Sequence, residues 1–187
     1  MKFRVLLVLL CLFYSNFSFS QQNLNIAPTS SHKIMAGFLM HFALFVEWPN
    51  KNSINICIVG EDPFGTFFDK MLLSKQTNRS AKKISLSRLK VGQRIEKCHI
   101  IFSTKRSTTA QFWQNIPQKH SILLVSEFDQ FTKLGGLINF YTENKRIRIE
   151  INIDAVNKAG IKISSELLKL SKISHYKVNE TTHDKNN

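Results

Sequence analysis

The first long pattern of hydrophobic positions along the chain is helical. From His32 onward, apolar residues recur at spacings of three and four until Pro49 ends the pattern, as the buried side of a helix does. The apolar positions are Ile34, Met35, Phe38, Leu39, Phe42, Ala43, Phe45 and Val46. They predict an aromatic-rich helix that packs against a core.

Three short apolar runs follow, at residues 54–59, 98–103 and 121–125, and each has the length and composition of a buried strand. Residues 83–89 alternate weakly and predict a further strand. Because helix-length stretches separate these runs, the pattern predicts a three-layer α/β fold in which helices flank a largely parallel sheet.

The segments between the runs supply the connecting helices. Asp62 stands where it could cap a helix with Pro63 at its first position. Residues 108–116 predict a short helix, and residues 128–134 predict one or two helical turns that end at a pair of glycines.

The sequence of the last third of the domain predicts antiparallel strand pairing, in contrast to the parallel strands before it. Residues 137–141 and 147–151 are apolar stretches separated by polar residues, which predicts a C-terminal antiparallel hairpin appended to the sheet. Residues 155–173 then predict a long C-terminal helix. Its apolar positions, at spacings of three and four, are Ala159, Ile163, Leu167 and Leu170.

The N-terminus has the character of a secretory signal peptide. Lys2 and Arg4 precede an apolar run over residues 5–14, which as a helix spans about 15 Å, half of the roughly 30 Å hydrocarbon core of a bilayer. A lipoprotein signal at Cys11 is the alternative, and the bulky Leu9 and Leu10 before it argue against that.

This assignment sets the expected organisation. Residues 1–20 form the signal peptide, residues 21–31 a flexible polar leader, residues 32–174 one α/β domain and residues 175–187 a polar tail. Export through this signal peptide then leaves two cysteines, Cys57 and Cys98, in an oxidising compartment. From the residues alone, they either form a disulfide or remain two buried free thiols.

Positive charge is concentrated in one part of the chain. The whole sequence has 26 Lys and Arg against 13 Asp and Glu, a net charge of +13. Residues 82–106 hold eight of these cations and one acid, Glu96. Such a patch favours an acidic partner or an anionic lipid surface, or is simply a solvated face, while export argues against nucleic acid.

Catalytic and metal-binding patterns are absent from the sequence. The six histidines have no metal-ligand spacing. Residues 60–66 have two glycines but lack the lysine of a phosphate-binding loop, and no serine stands in a nucleophile elbow. We therefore expect no enzyme, no metal and no cofactor.

Several local signals occur together in one order, and this order resembles the YfiR family of exported bacterial proteins over roughly residues 32–173. The segments are residues 42–49 (Phe-Ala-Leu-Phe-Val-Glu-Trp-Pro), residues 56–65 (Ile-Cys-Ile-Val-Gly-Glu-Asp-Pro-Phe-Gly), residues 98–102, residues 123–126 with Gly135-Gly136, and residues 148–170.

The resemblance implies a periplasmic regulator that represses a membrane-anchored diguanylate cyclase by binding its periplasmic region. An outer-membrane lipoprotein relieves this repression in the best-known members, and lower repression means more cyclic di-GMP and more biofilm. The resemblance also implies a tendency to form homodimers and a disulfide between Cys57 and Cys98. Adjacent first and third strands of a doubly wound sheet would bring these two residues within bonding range.

Candidate contact residues differ between two hypotheses, a protein that binds a protein partner and a protein that binds a small molecule. For a protein partner, Trp48 is either a surface anchor or a core residue, and Arg148 and Asn152 share one strand face that is either a groove or plain surface. The alternative function is a periplasmic small-molecule sensor or solute-binding domain. It would use the carboxyl ends of the parallel strands, near Glu61, Asp62, Thr104 and Arg106.

Overall fold

The computed structural model describes residues 28–48, 52–76, 83–104, 112–113, 116 and 121–176. In chain order these form α1 (Ser30–Phe45), β1 (Val46–Glu47), β2 (Ser53–Val59), α2 (Thr66–Gln76), β3 (Lys83–Leu89), β4 (Ile100–Ser103), β5 (Leu123–Ser126), a 3-10 helix (Phe131–Leu134), β6 (Ile138–Glu143), β7 (Arg146–Asn152), α3 (Ile153–Lys158), β8 (Lys162–Ile163), α4 (Ser165–Lys169) and β9 (Lys172–Ser174).

Seven of these strands form one mixed sheet in the order β3-β2-β4-β5-β6-β7-β9. The strands from β3 to β6 are parallel, β7 runs antiparallel to β6, and β9 adds parallel to β7. The order confirms the expected α/β fold with first and third strands as neighbours, because β2 lies between β3 and β4. The small strands β1 and β8 pair separately and antiparallel.

An aromatic cluster fills the core between α1 and the sheet. Phe42 of α1 stacks on Phe140 of β6 with ring centroids 6.0 Å apart, and Phe102 of β4 lies 6.1 Å from Phe140. Phe64 completes the cluster at 5.1 Å from Phe102. All four side chains are at most 2% exposed. Aromatic burial of this kind anchors α1 firmly on one face of the sheet.

The opposite face of the sheet carries more polar side chains. Glu150 of β7 alternates with Ile149 and Ile151, so its side chain points away from α1. It accepts a hydrogen bond from Thr132 Oγ1 of the 3-10 helix at 2.8 Å. Helices therefore cover both faces, as the layered prediction required.

The predicted hairpin is confirmed. Its two-residue turn is Asn144 and Lys145, both with positive φ, 49° and 59°, as a tight turn between antiparallel strands requires. The strands reach further into the polar segment than predicted, to Glu143 and from Arg146.

The prediction of one long C-terminal helix is wrong, because short helices and strands occupy this segment. Gly160 adopts φ 66° and ends the short helix α3, since this left-handed conformation stops helical propagation. Ile163 then pairs with Val46 in a two-stranded ribbon, and Ser164 caps the new helix α4 by accepting from Leu167 N. The chain finally joins the main sheet through β9.

The ends of α1 also differ from expectation. The helix begins at Ser30, inside the segment assigned to the leader, because Thr29 Oγ1 caps it by accepting from His32 N at 3.2 Å. It ends at Phe45, before Pro49, because Val46 and Glu47 are extended and pair with β8. The signal peptide, most of the leader, residues 105–111 and nearly all of the tail lie outside the described residues.

Candidate functional site

Helix α1 is apolar on its outer side as well as its inner side. The inner side consists of Met35, Ala36, Leu39, Met40, Phe42 and Ala43, all buried. On the outer side, Ile34 is 49% exposed, Leu44 is 43% exposed and Phe45 is 36% exposed. A helix that is apolar all round is typical of a fully buried element, yet water reaches one side of α1.

An open groove runs between α1 and α4. It has a volume of about 210 Å³ and is lined by Phe38, His41, Phe45, Glu166, Leu167 and Leu170. Leu167 is buried, whereas Leu170 is 70% exposed. The imidazole of His41 stacks on the Phe45 ring at 5.5 Å. We call this feature the α1–α4 groove.

Backbone bonds beyond the groove fix its two walls. Ser164 N, immediately before α4, donates to Phe45 O at the end of α1 at 3.3 Å. The adjacent pairing of Val46 with Ile163 holds the same two segments together. The groove is thus part of the folded structure, and its chemistry is an apolar slot with one carboxylate, Glu166, at its edge.

Cys57 and Cys98 are joined by a disulfide, with their Cα atoms 5.7 Å apart. Cys57 lies in β2, and Cys98 lies two residues before β4, the neighbouring strand. Both residues are at most 5% exposed. This confirms the bonded alternative and gives the bond a structural position between two central strands.

The loop after β2 carries an ion-pair network. Arg88 of β3 donates from Nε to Asp62 Oδ2 and from Nη2 to Asp69 Oδ2, both at 2.6 Å, and also to Gly65 O at 3.0 Å. The hydrogen bond from Arg88 holds the pKa of Asp69 below its usual value, and the same bond raises the pKa of Arg88. One cation of the basic segment is thus neutralised by two acids.

A family model described as YfiR/HmsC-like matches residues 32–172, about three quarters of the chain. The chain belongs to the YfiR/HmsC-like family. Proteins of this family are periplasmic regulators without catalytic activity, and they interact with the periplasmic domain of a diguanylate cyclase. No curated protein matches the chain with significant similarity.

In this family member, Asp62 does not cap a helix as predicted. Its Oδ1 accepts from Phe64 N at 2.8 Å within the loop, and α2 begins only at Thr66. Both carboxylate oxygens are therefore occupied by groups of the protein itself.

The other residues of the hypothetical small-molecule site follow the carboxyl ends of β2 and β4, which are neighbouring parallel strands. Glu61 is exposed, Thr104 is buried at 5% exposure, and Arg106 lies outside the described residues. The small-molecule site at these strand ends therefore stays a prediction.

The candidate partner contacts separate into core and surface residues. Trp48 is 7% exposed, and its Nε1 donates to Ala43 O at 3.1 Å. Of the two roles considered for Trp48, the structure therefore shows that of a core residue. Asn152 is fully buried and caps α3 by accepting from Ala155 N. Arg148 is exposed and lies 3.5 Å from Glu143 across the hairpin.

The groove residues could not be recognised from the helical spacing of the sequence. This spacing assigns Ile34, Phe38 and Phe45 to one buried side of α1, and it assigns Leu170 to the buried side of a long helix. The available signal was the number of apolar residues in α1, which exceeds what one buried side of a 16-residue helix requires. Leu170 could not be identified in this way, because its exposure depends on the break at Gly160.

In the described part of the chain, no three His, Cys, Asp or Glu side chains cluster as metal ligands would. None of the helices described there combines the length and the apolar character needed to span a bilayer.

Proposed function

We propose that this protein is an exported periplasmic regulator that represses a membrane-anchored diguanylate cyclase, and that the α1–α4 groove is the surface that binds the enzyme. Family membership supports the regulatory role and the class of partner. The charge and hydrophobicity pattern of residues 1–20 supports export. An outer-membrane lipoprotein that relieves the repression fits the same proposal.

The observation that carries the proposal is the exposure of Leu170 at the edge of an apolar groove. A leucine that is 70% exposed beside Phe45 and Phe38 keeps apolar surface in contact with water. Burial of such a side chain by a partner contributes roughly 1.5 to 3 kcal/mol. Grooves of this kind receive the apolar anchors of protein partners.

The groove also fits a protein partner better than a polar small molecule. Its lining offers His41 and Glu166 as the polar side chains among six residues. A site for a nucleotide or an amino acid would require several convergent polar groups. An apolar side chain from the periplasmic region of the cyclase would instead fill the slot between Phe38, Phe45 and Leu167.

The test compares two exposed leucines in the host bacterium. Deletion of the gene should raise cellular cyclic di-GMP, and the wild-type gene should lower it again. Leu170→Glu should fail to lower it, because a carboxylate cannot be buried in the groove without a partner charge. The matched control is Leu73→Glu on α2, since Leu73 is 66% exposed but lies outside the groove.

Leu73→Glu should repress as the wild type does. Immunoblots of the periplasmic fraction and thermal unfolding of both purified variants establish that each is exported and folded. Full repression by Leu170→Glu would contradict the assignment of the groove, and unchanged cyclic di-GMP in the deletion strain would contradict the proposed function as a whole.

A further inference from the structure

The chain crosses from β3 to β4 without a helix. Residues 90–97 form this connection, which we call the β3–β4 crossover, and they contain neither helix nor strand. Parallel strands are usually joined by a helix that covers the sheet. Seven of the eight residues are exposed, and only Ile95 is partly buried. The crossover therefore presents nearly all of its side chains to the surroundings of the protein.

Hydrogen bonds fix both ends of the crossover. At its first turn, Lys90 N donates to Gln93 Oε1 at 2.7 Å, and Gln93 N donates to Lys90 O at 3.1 Å. At its far end, Asn55 Nδ2 of β2 donates to Lys97 O at 3.3 Å, and the disulfide holds the next residue, Cys98. The exposed side chains thus stand on a backbone of defined shape.

The far end of the crossover lies on the face of the sheet opposite α1. Ile58 of β2 pairs with Phe102, which belongs to the aromatic cluster under α1. Asn55 stands three residues before Ile58, so its side chain points to the other face. There it holds Lys97 O and accepts a hydrogen bond from Ser85 Oγ of β3 at 3.1 Å.

Four exposed cations belong to the crossover or to the neighbouring face of β3. We call them the cationic strip, and they are Lys83, Lys90, Arg94 and Lys97. Lys83 belongs to this set because it shares the strand face of Ser85. None of the ion pairs among the described residues includes any of the four, in contrast to Arg88. Since Glu96 is the only acid in the crossover, the strip keeps a net positive charge.

The cationic strip is too long for a small anion. Lys83 and Lys97 lie near the start of β3, and Lys90 follows its end, seven residues or roughly 20 Å along the strand. A single phosphate or carboxylate group would contact only one end of the strip. An extended anionic surface would contact all of it.

An apolar side chain stands among these cations. Val91 is 51% exposed at the first turn of the crossover, next to Lys90. An apolar residue beside Lys and Arg is typical of protein segments that lie in the headgroup layer of a membrane. Interfaces between proteins are instead depleted in lysine, and three of the four cations are lysines. The combination favours a lipid surface over an acidic protein.

We propose that the cationic strip binds the phosphate groups of anionic lipids at a membrane surface, and that Val91 enters the headgroup layer. The contact needs no protein partner and is independent of the α1–α4 groove. Because α1 lies on the opposite face of the sheet, the groove then faces away from the lipid and stays accessible to a protein partner. Each Lys or Arg near an anionic surface should strengthen binding roughly fivefold.

The first test measures co-sedimentation of the purified, exported protein with lipid vesicles. The wild type should bind vesicles that contain phosphatidylglycerol and should not bind vesicles of phosphatidylcholine alone. Binding should be present at about 0.1 M salt and lost at about 1 M salt, where the Debye length falls to about 3 Å. Equal binding to both kinds of vesicle, or binding to neither, would overturn the proposal.

Two double variants separate the strip from the net charge of the protein. Lys90→Gln with Arg94→Gln should weaken vesicle binding roughly 25-fold. The matched control, Lys70→Gln with Lys75→Gln, removes the same charge from exposed positions of α2 and should leave binding nearly unchanged. Helix α2 packs into the aromatic cluster on the α1 side of the sheet. An equal loss in both variants, with both shown to be folded by thermal unfolding, would contradict a specific lipid-binding strip.

The second test follows the surroundings of residue 91. The fluorescence of Val91→Trp should shift to the blue when vesicles with phosphatidylglycerol are added, because the indole ring moves from water into the headgroup layer. Leu73→Trp on α2 is the matched control, since Leu73 is 66% exposed, and should show no shift. A spectrum of Val91→Trp that the vesicles leave unchanged would exclude the insertion of this residue.

A final comparison distinguishes lipid from acidic protein, with poly-glutamate as the probe. Binding of poly-glutamate without binding of vesicles would assign the strip to an acidic protein and overturn the lipid proposal. Leu170→Glu should bind vesicles as the wild type does, because Leu170 lies in the groove. The vesicle experiments contain no cyclase, so their failure and the failure of the proposed function are distinguishable.

Discussion

The disulfide between Cys57 and Cys98 joins β2 to the residues that lead into β4. Beside it, Asn55 of β2 and His99 exchange two further bonds. His99 N donates to Asn55 O at 2.9 Å, and Asn55 N donates to His99 Nδ1 at 3.0 Å. The covalent bond thus reinforces the point where two central parallel strands begin to pair.

We predict that loss of this disulfide strongly destabilises the domain. The bond closes a loop with a sequence separation of 41 residues, which in the chain-entropy model contributes about 4 kcal/mol. The double variant Cys57→Ser with Cys98→Ser should lose about that much unfolding free energy in urea titrations. Equal stability of the oxidised and reduced wild-type protein would contradict the prediction.

The strands could be predicted from the sequence because their signals are local. The run from Ile54 to Val59 is β-branched and ends at a glycine, and it forms β2 with the expected limits to within one residue. The hairpin followed from two apolar stretches separated by a short polar segment, and the structure pairs them as β6 and β7, with Phe140 opposite Ile149. In both cases the signal lies within a few consecutive residues, because a strand buried on both faces is a continuous apolar run.

The C-terminal region could not be predicted because its determinants are not local. Ile163 is extended since it pairs with Val46, more than a hundred residues earlier. Ile173 belongs to a strand because Ile151 offers it an edge of the sheet. The apolar spacings of three and four residues across these short elements are therefore coincidental. Because α4 itself could not be predicted, the groove between α4 and α1 could not be predicted either.

Gly136 should not tolerate a side chain. A Cβ built there overlaps the ring of Phe131, which is fully buried and packs edge-on against Trp113 at 4.7 Å. Gly136→Ala should therefore cost about 1 to 3 kcal/mol in unfolding free energy. Gly37→Ala, which adds the same methyl group in open space within α1, is the control and should stabilise the protein, because alanine favours a helix more than glycine does. Similar melting temperatures for the two variants would refute this reading of the packing.

The ion pair of Asp69 with Arg88 should make stability depend on pH in the acid range. The hydrogen bond from Arg88 lowers the pKa of Asp69 from its usual 3.8, so the folded state favours the ionised form. This contribution is fully present above the usual pKa and is lost as the pH falls through the lowered one. Both side chains are more than 40% exposed, which limits the contribution to about 0.5 to 1 kcal/mol.

Asp69→Asn should accordingly be less stable than the wild type at pH 7. The difference in unfolding free energy should shrink as the pH falls below 3.8, because the wild-type carboxylate becomes protonated. Urea titrations between pH 7 and pH 3 measure this difference in unfolding free energy. The control is Glu96→Gln at an exposed position, for which we expect the difference from the wild type not to change in this way. A difference that stays constant over this range would exclude the ion pair as its cause.

Asn152 is predicted to stabilise the fold and not to bind a ligand. Its Nδ2 donates to Thr132 O at 3.0 Å and to Tyr176 O at 3.1 Å, while its Oδ1 accepts from Ala155 N at 3.2 Å. Asn152→Ala removes the helix cap and leaves buried carbonyls unpaired, which should cost about 2 to 3 kcal/mol. Asn152→Asp should not rescue this loss, because a carboxylate would face two carbonyl oxygens. Asn152→Ser keeps the cap alone and should recover about 1 kcal/mol. Unfolding titrations of the three variants give this order, whereas a surface contact residue would leave all three as stable as the wild type.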